Sequence, residues 1–383
     1  MTGLSIDRWL DRRRIMSLDQ ARALNSGPLA ELNEAWLEVV RHLRESIEAV
    51  REPTAEDRRL IDVMELAGAI GNAMFSTRYG VGTRLTRSGF QGYDTLHYHN
   101  AQHSLDIVTR LHRLYDHFGL ERFPPERRVL LNLFAVFHDL RQQESGAPTR
   151  GVGLNEASTA EEAAEILKLA LLEVGFDRAR DAGLFERLIV DMALMIHGTT
   201  FNFVGRDETV VNPWTGAEES AAVPVGAYAT LLISQLESAH PDWKSQARLA
   251  RQAENILLAA DVDTANVSDT FDHFAEQGVN LCREIEKRKG HFVLDPDAVY
   301  GFMTGGQEYY FHVAQRYNTE LSTEVFGAAK TRNAERLAEQ TRTIRERFGD
   351  SSAEGKSLAT GSARATGEDI LASYLANARR LAG

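Results

Sequence analysis

Apolar residues recur three and four positions apart through most of this chain, and this spacing constrains its fold more than any other feature. The stripe is clear from Leu29 through Trp36 to Val50, where charged residues fill many of the positions between. Such periodicity places apolar side chains on one face of a helix. Proline, which interrupts helices, occurs nine times in 383 residues. The sequence therefore predicts an all-α fold.

The helical pattern divides the chain into regions of different character. We expect an N-terminal helical region over 1–60, a compact multi-helix core over 61–325 and a C-terminal helical appendage over 326–383. The composition of 350–367, rich in Ser, Gly and Ala, predicts a flexible linker within that appendage. A short hairpin is expected around 201–211, where apolar and polar residues alternate.

The charge balance limits the classes of partner. The chain has 55 Asp and Glu against 43 Lys and Arg, a net charge of −12, so we expect no nucleic acid bound over a broad face. A small phosphate ester held by metal ions remains compatible, because the metal charge dominates locally. The single cysteine, Cys282, excludes an internal disulfide and a cysteine-built zinc site. We expect a cytoplasmic protein without membrane partners, because the sequence shows neither an apolar membrane span nor a secretory signal.

Histidines and aspartates cluster at places that suit a metal centre. His99 and His103 are four residues apart, so on a helix they would face the same side. His138-Asp139 ends the apolar segment VLLNLFAVFHDL, where burial without a partner is costly. Asp261 also closes an apolar run, and two His with two Asp suit zinc, manganese, iron or magnesium. Taken singly, these residues also fit a polar surface pair, a helix-end histidine and a turn aspartate.

The order of these residues carries a family resemblance. His103, His138-Asp139 and Asp261 together resemble the HD-domain superfamily of metal-dependent phosphohydrolases. The segment YHNAQHSLD, from Tyr98, more narrowly resembles the YHNxxHxxD motif of class I 3′,5′-cyclic nucleotide phosphodiesterases. The resemblance extends over roughly 65–325 and includes IVDMALMIHGTT from Ile189, Ala260-Asp261, FAEQG from Phe274, and the pair Gln307 and Tyr310.

The resemblance implies an HD-type catalytic domain that hydrolyses cAMP or cGMP to the 5′-monophosphate. It implies two divalent metal ions, with a tighter first site and a weaker second site that Asp139 also touches. The ligands of the first metal would be His103, His138, Asp139 and Asp261. A metal-activated hydroxide would attack phosphorus in line, and His99 would protonate the departing 3′ oxygen. Gln307 would bind the purine edge, and Tyr310 would form one side of an aromatic clamp.

Several positions around the second metal differ from the family pattern. Gln142 stands where the family has a histidine, and a long polar segment follows it. Asn155 matches a family asparagine beyond that segment, whereas His197 replaces an aspartate and is a candidate ligand of the second metal. Asp272 and His273 occupy the place of the glutamate that supports the general acid. They are further candidates either to support the metal ligands or to bind the second metal.

Two other functions remain open on the sequence. The altered second-metal positions favour an HD-type phosphohydrolase that acts on another nucleotide or phosphoester. A non-catalytic sensor or scaffold would instead use the helices at 29–50 and 331–381 to bind partners. We expect those terminal helices to pack against their own core, with a homodimer as the alternative. Gln307 and Tyr310 likewise have ordinary alternatives, as a surface glutamine and a packed tyrosine.

Overall fold

Helices dominate the protein, which is described by a computed structural model over residues 5–80, 96–142, 144, 151–291, 293–349 and 365–383. In these residues the strands form two short antiparallel ribbons, so the predicted all-α class is confirmed. The chain divides into two compact units. The first comprises the described parts of Met1–Thr95 and His99–Asp263, and the second comprises those of Leu96–Tyr98 and Thr264–Gly383.

The first unit contains the elements that carry the predicted metal ligands. A 3₁₀ turn, Ile6–Arg8, precedes its helices. The helices are α1 (Leu18–Asn25), α2 (Ala30–Glu48), α3 (Ala55–Tyr79), α4 (Ala101–Arg122), α5 (Pro125–Phe137), α6 (Leu154–Glu173), α7 (Ala182–Gly198), α8 (Ala229–Ala239) and α9 (Ala247–Asp263). A second 3₁₀ turn, Trp243–Ser245, lies between α8 and α9.

The long helix α3 begins with a reciprocal cap. The Thr54 hydroxyl accepts a hydrogen bond from the Asp57 backbone N–H at 3.1 Å, and the Asp57 carboxylate accepts one from the Thr54 N–H at 2.8 Å. These bonds satisfy donors that a helix start leaves without intrahelical partners. The spacing of Thr54 and Asp57 in the sequence predicts this cap, and the structure confirms it.

Two glycines of α3 allow large aromatic side chains to approach the helix backbone. A Cβ on Gly68 would overlap the indole ring of Trp36, which donates a hydrogen bond to the Glu65 carbonyl at 3.1 Å. A Cβ on Gly71 would lie 2.7 Å from Cε1 of Phe137, the last residue of α5. This close packing positions the C-terminal end of α5, where His138 follows.

The ribbons lie between α7 and α8. β1 (Phe201–Asn202) pairs with β4 (Gly226–Ala227), and β2 (Arg206–Val211) pairs with β3 (Glu218–Val223). The predicted hairpin within 201–211 is therefore wrong in its partner, although its second half is a strand. The connection from β2 to β3 is formed by residues 212–217, where the Asn212 side chain accepts a hydrogen bond from the Trp214 N–H at 3.0 Å.

The second unit has a core of its own. Its elements after the short segment Leu96–Tyr98 are the 3₁₀ turn Ala265–Ser268, α10 (Phe271–Arg288), α11 (Pro296–Gly301), the π-helical stretch Phe302–Gly306, α12 (Gln307–Tyr309), a second π-helical stretch Tyr310–Ala314, α13 (Glu320–Phe348) and α14 (Gly367–Ala382). Phe274, Phe311, Leu337 and Tyr374 are buried together, so the two C-terminal helices share one core with 267–311.

The division of the structure differs from the predicted domain boundaries. The units meet in the chain between Asp263 and Thr264, not near 325, and the helices before residue 60 belong to the first unit. The physical reason is the shared core, which periodicity along the chain cannot reveal. Most of the predicted linker, 350–364, lies outside the described residues, and α14 begins at Gly367. No described helix combines the length and apolar character needed to cross a membrane.

Candidate metal centre

Three helix ends of the first unit bring the candidate ligands together. His103 lies in the first turn of α4, whose N-cap residue Asn100 accepts hydrogen bonds from the backbone N–H groups of Gln102 and His103. His138 is the C-cap of α5, and Asp139 follows it. The last residue of α9 is Asp263. Helix ends suit this purpose, because a side chain there can point past the end of its helix.

The facing atoms of these residues have the spacing of ligands around one cation. His103 Nε2 lies 3.3 Å from Asp263 Oδ1 and 3.8 Å from Asp139 Oδ2. His138 Nε2 lies 3.0 Å from Asp139 Oδ2 and 3.6 Å from Asp263 Oδ1. Ligand atoms about 2.1 Å from one ion are separated by about 3.0 Å in octahedral and about 3.4 Å in tetrahedral geometry. The observed separations bracket those values.

Two buried polar atoms of this group, one on His138 and one on Asp139, lack a hydrogen-bond partner among the described residues. In the described part of the chain, His138 Nε2 and Asp139 Oδ2 are buried and make no hydrogen bond. The other ring nitrogen, His138 Nδ1, lies 3.1 Å from the Ala135 carbonyl oxygen, which can only accept. Nδ1 therefore donates to that carbonyl, and Nε2 is the ring nitrogen that faces the cluster formed by His103, His138, Asp139 and Asp263, an arrangement typical of metal-binding histidines. The residues fit a divalent cation: among those described, His103, His138 and Asp263 form the group able to hold one.

The structure corrects one predicted ligand. The carboxylate beside the two imidazoles belongs to Asp263, whereas the sequence analysis selected Asp261. Both residues lie in α9, and two positions correspond to about 200° around a helix, so the two side chains leave it on opposite sides. Asp261 is fully buried within the first unit. A second aspartate just before the helix end was the sequence signal that could have identified Asp263.

Asp139 is held from behind by a chain of amides. Gln142 Nε2 donates a hydrogen bond to Asp139 Oδ1 at 2.7 Å, and Asn155 Nδ2 donates to Gln142 Oε1 at 3.2 Å. The Asn155 oxygen accepts from the Glu144 N–H at 3.0 Å, and the Tyr79 hydroxyl bonds both backbone groups of Gln142. Gln142 thus replaces the expected histidine with a donor that occupies the second oxygen of Asp139. Asn155 acts here as a support for Gln142.

The charges within the cluster shift its titrations. Burial raises the pKa of the Asp139 carboxyl, but His138, His99 and His103 outweigh burial and hold that pKa far below its usual range. Burial lowers the pKa of His138, but the Asp139 carboxylate outweighs burial and raises it. Burial lowers the pKa of His103. Asp139 is therefore ionised near neutral pH, as a carboxylate ligand must be.

Glu156 is a candidate site residue that the sequence analysis missed. It lies in the first turn of α6, directly after Asn155, and its side chain folds back over Gly153, where a Cβ would overlap it. Burial, and then the charge of Asp139, raise the pKa of Glu156 to about 7. The charges of Asp139 and Asp263 contribute to this shift, and perturbed carboxyl groups of this kind are candidates for a functional site. An acid within a segment of mostly small and apolar residues was the available signal.

His99 lies beside the cluster for a reason other than the predicted one. α4 begins at Ala101, so His99 precedes the N-cap and does not share a helix face with His103. The two rings nevertheless lie next to each other, with centroids 6.2 Å apart and planes at 82°. The extended N-cap Asn100 turns the chain so that the side chains become neighbours.

His197 has different surroundings from those predicted. Its ring lies 6.4 Å from that of Trp9, and it lines a cavity with Arg8 and Tyr228. It is not part of the described group His103, His138 and Asp263, and its candidacy as a ligand of a second metal stays a prediction. Burial lowers the pKa of His197 to about 3.

The predicted substrate residues lie in the second unit. The amide of Gln307 is buried 3.3 Å from where a Cβ on Gly278 would lie, so two segments of the family resemblance pack together. The Tyr310 hydroxyl donates to Asn266 Oδ1 at 2.9 Å. That these two residues bind a nucleotide stays a prediction.

Asp272 and His273, the two candidates for supporting the general acid, lie at the start of α10. A hydrogen bond from the Thr270 hydroxyl lowers the pKa of Asp272, which is exposed in the first helical turn. His273 Nε2 lies 2.9 Å from Gln277 Nε2, four residues along the same helix. Their proposed support of a general acid stays a prediction.

Comparison with known proteins gives no indication of function, so the proposed function rests on the site geometry and the sequence motifs. No family model matches the chain, and neither the curated proteins nor the solved structures include a significant match to it.

Proposed function

We propose that this protein is a metal-dependent phosphodiesterase that hydrolyses a 3′,5′-cyclic nucleotide to the 5′-monophosphate. One observation carries the proposal: two imidazoles and two carboxylates converge, with a further imidazole beside them. The converging residues are His103, His138, Asp139 and Asp263, and the further imidazole is that of His99. The motif order in the sequence supports the cyclic nucleotide as substrate.

The proposed division of roles follows from the chemistry of each side chain. A bound divalent cation would supply an activated water and neutralise charge on the phosphoryl oxygens. His103 and His138 would bind it as neutral imidazoles, and Asp139 and Asp263 would bind it as carboxylates. An alkoxide is a poor leaving group, so the departing 3′ oxygen needs a proton. His99 donates that proton, because an imidazole titrates near the working pH.

A specific observation favours a second candidate function. The amide of Gln142 occupies Asp139 Oδ1, the oxygen that would otherwise be open to a second metal ion. A centre with one metal would favour an HD-type phosphohydrolase whose substrate is another phosphoester. The second candidate therefore differs from the first in metal stoichiometry as well as in substrate.

The first experiment is hydrolysis of cAMP and cGMP by the purified full chain. Metal-stripped protein and protein reloaded with Mn²⁺ or Mg²⁺ are compared, and bound metal is counted by mass spectrometry. Metal-dependent formation of 5′-AMP or 5′-GMP is expected. Turnover of other phosphoesters alone, with one metal ion bound, would move the assignment to the second candidate. No turnover of any phosphoester, with metal bound, would contradict both.

The role of His99 is tested by changing the leaving group. His99→Gln is expected to keep the metal and to lose about 10²–10⁴-fold in kcat on a cyclic nucleotide. The loss should nearly vanish with a p-nitrophenyl phosphodiester, because p-nitrophenolate departs without a proton. His117→Gln, at an exposed position of the same segment of chain, is the matched control. An equal loss on both substrates would refute the general-acid role.

A further inference from the structure

A cavity of about 380 Å³ lies in the first unit. The N-terminal 3₁₀ turn, the start of α6, the end of α7, the ribbons and α8 form its walls. The side chains used below are Arg8, Trp9, Arg12, Glu161, His197 and Tyr228. Small-molecule sites in proteins have volumes from about 300 to 1,000 Å³, so the space suits a small ligand. None of the candidate metal ligands lines it.

The cavity carries an excess of positive charge. In the described residues, neither Arg8 nor Arg12 has a carboxylate partner. The one acid of the lining, Glu161, is already paired, with its Oε2 3.0 Å from Arg13 Nε. Burial, and then the charge of Arg12, lower the pKa of Arg8. Guanidinium groups in such a setting favour carboxylates and phosphates.

The rest of the lining offers flat apolar faces with a few polar atoms. Trp9 is 3% exposed, and its indole lies against the ring of His197 and under the guanidinium of Arg8. The imidazole of His197 makes no hydrogen bond within the described residues, and burial keeps it neutral. Tyr228 is 1% exposed, and its hydroxyl has no hydrogen-bond partner among the described residues. Buried polar groups are normally satisfied, so such atoms indicate a missing partner.

Gly151 lies close to Tyr228, one of the residues of this lining. Its φ of +100° is one that side chains other than glycine rarely adopt, and a Cβ there would lie 2.8 Å from the Tyr228 hydroxyl oxygen. The glycine therefore admits the tyrosine ring to the wall of the cavity.

We propose that this cavity is a binding site for a small anion whose carboxylate or phosphate is carried on a flat ring system. The two arginines bind the anionic group, and the ring packs beside His197, which is partly exposed where it lines the cavity. A neutral ring compound lacks the interaction with the arginines, and inorganic phosphate lacks the ring. Both should therefore bind more weakly than a ring that carries an anionic group. The site is independent of the proposed phosphodiesterase function.

The test is isothermal titration calorimetry on the full chain after metal removal, so that the metal centre does not contribute. The probes are 2-naphthoate, 5′-AMP, inorganic phosphate and the neutral 2-naphthamide. Saturable binding is expected for 2-naphthoate or 5′-AMP, with phosphate and the amide at least about 10-fold weaker. Preference for 2-naphthoate would identify a carboxylate ligand, and preference for 5′-AMP a phosphate ligand.

Variants connect the binding to this cavity. Arg8→Gln and Arg12→Gln, both at the partly exposed edge of the first unit, should each weaken binding of the preferred probe about 10-fold or more. Arg22→Gln, at an exposed position of α1, is the matched control and should leave binding unchanged. Circular dichroism checks that each variant is folded. Binding of neither ring anion, equal binding of the neutral amide, or unchanged binding in both arginine variants would overturn the proposal.

Discussion

At the scale of single residues, the orientation of the Asp139 carboxylate depends on the side-chain amide of Gln142. Gln142 donates to Oδ1 and leaves Oδ2 facing the cluster, and Asn155 holds Gln142 in turn. Such outer contacts orient a ligand and are themselves worth a measurable part of metal affinity. The amide chain therefore belongs to the candidate metal centre as a support of Asp139.

Removing that amide should weaken metal binding without abolishing it. We expect Gln142→Leu to lower metal affinity by about 10- to 100-fold, because Asp139 loses the contact that orients it. Competition with a fluorescent chelator measures the affinity. Gln246→Leu is the matched control, since it removes a Gln–Asp bond of 2.9 Å to Asp242 at the surface. Equal affinity in the Gln142 variant and the wild type would show that the amide has no such role.

The identity of the α9 aspartate that binds the metal, Asp261 or Asp263, is also a question about single residues. Asp263→Asn should lose most of the bound metal, because the amide removes the ionised oxygen 3.3 Å from His103. Asp261→Asn should keep the metal, because its side chain leaves α9 on the other side. Metal content per chain in folded protein is the measurement. The reverse result would restore the ligand set of the sequence analysis.

At the scale of elements, α2 and α4 are joined by a pair of histidine rings. The rings of His42 and His112 lie against each other, with centroids 4.3 Å apart and planes tilted by 35°. Burial, and then the charge of His42, lower the pKa of His112 from 6.5 to about 4. The unfolded chain binds this proton near pH 6.5, whereas the folded protein binds it near pH 4. Stability contributed by the neutral ring is therefore present above pH 6.5 and is lost as the pH falls from 6.5 to 4.

A variant that cannot titrate should show a flatter profile. We expect the free energy of unfolding of His112→Gln to fall less between pH 6.5 and 4 than that of the wild type, by at most about 3 kcal/mol. Urea unfolding at several pH values measures the difference. His117→Gln, which changes an exposed histidine nearby, should keep the wild-type profile. Parallel profiles for the His112 variant and the wild type would contradict this assignment.

At the scale of the whole molecule, the two units carry separate intrinsic probes. All four tryptophans belong to the first unit: Trp9, Trp36, Trp214 and Trp243. The single cysteine, Cys282, is buried in the core of the second unit. Tryptophan fluorescence therefore reports unfolding of the first unit, and thiol labelling reports that of the second.

Metal should stabilise the unit that holds its ligands. His103, His138 and Asp263 all belong to the first unit. At a free metal concentration 100 times the Kd, binding adds about 2.7 kcal/mol to the stability of the folded state. We expect added Mn²⁺ to raise the midpoint of the tryptophan transition by several degrees and to change thiol exposure much less. Equal shifts by both probes would show that the units unfold as one.

The helices and the cluster's histidines follow from the sequence for a local reason. Periodic apolar spacing specifies which face of a helix is buried, and the stripe of 29–50 corresponds to α2 (Ala30–Glu48). The cap formed by Thr54 and Asp57 depends on a spacing of three residues, so it is also visible in the sequence. His138-Asp139 was predicted because polar groups at the end of an apolar segment need a partner, and His103 was predicted because it lies four residues after His99.

Only the tertiary structure shows towards which neighbours a side chain points and which residues far apart in the chain are in contact. Whether Asp261 or Asp263 faces the imidazoles depends on how α9 is rotated against its neighbours, since neither residue type nor local spacing differs. Chain order alone did not predict that Gln142 bonds Asp139 or that His197 lies against Trp9, because the latter contact joins residues almost 190 positions apart. Local patterns thus determine the elements, and packing determines which side chains meet.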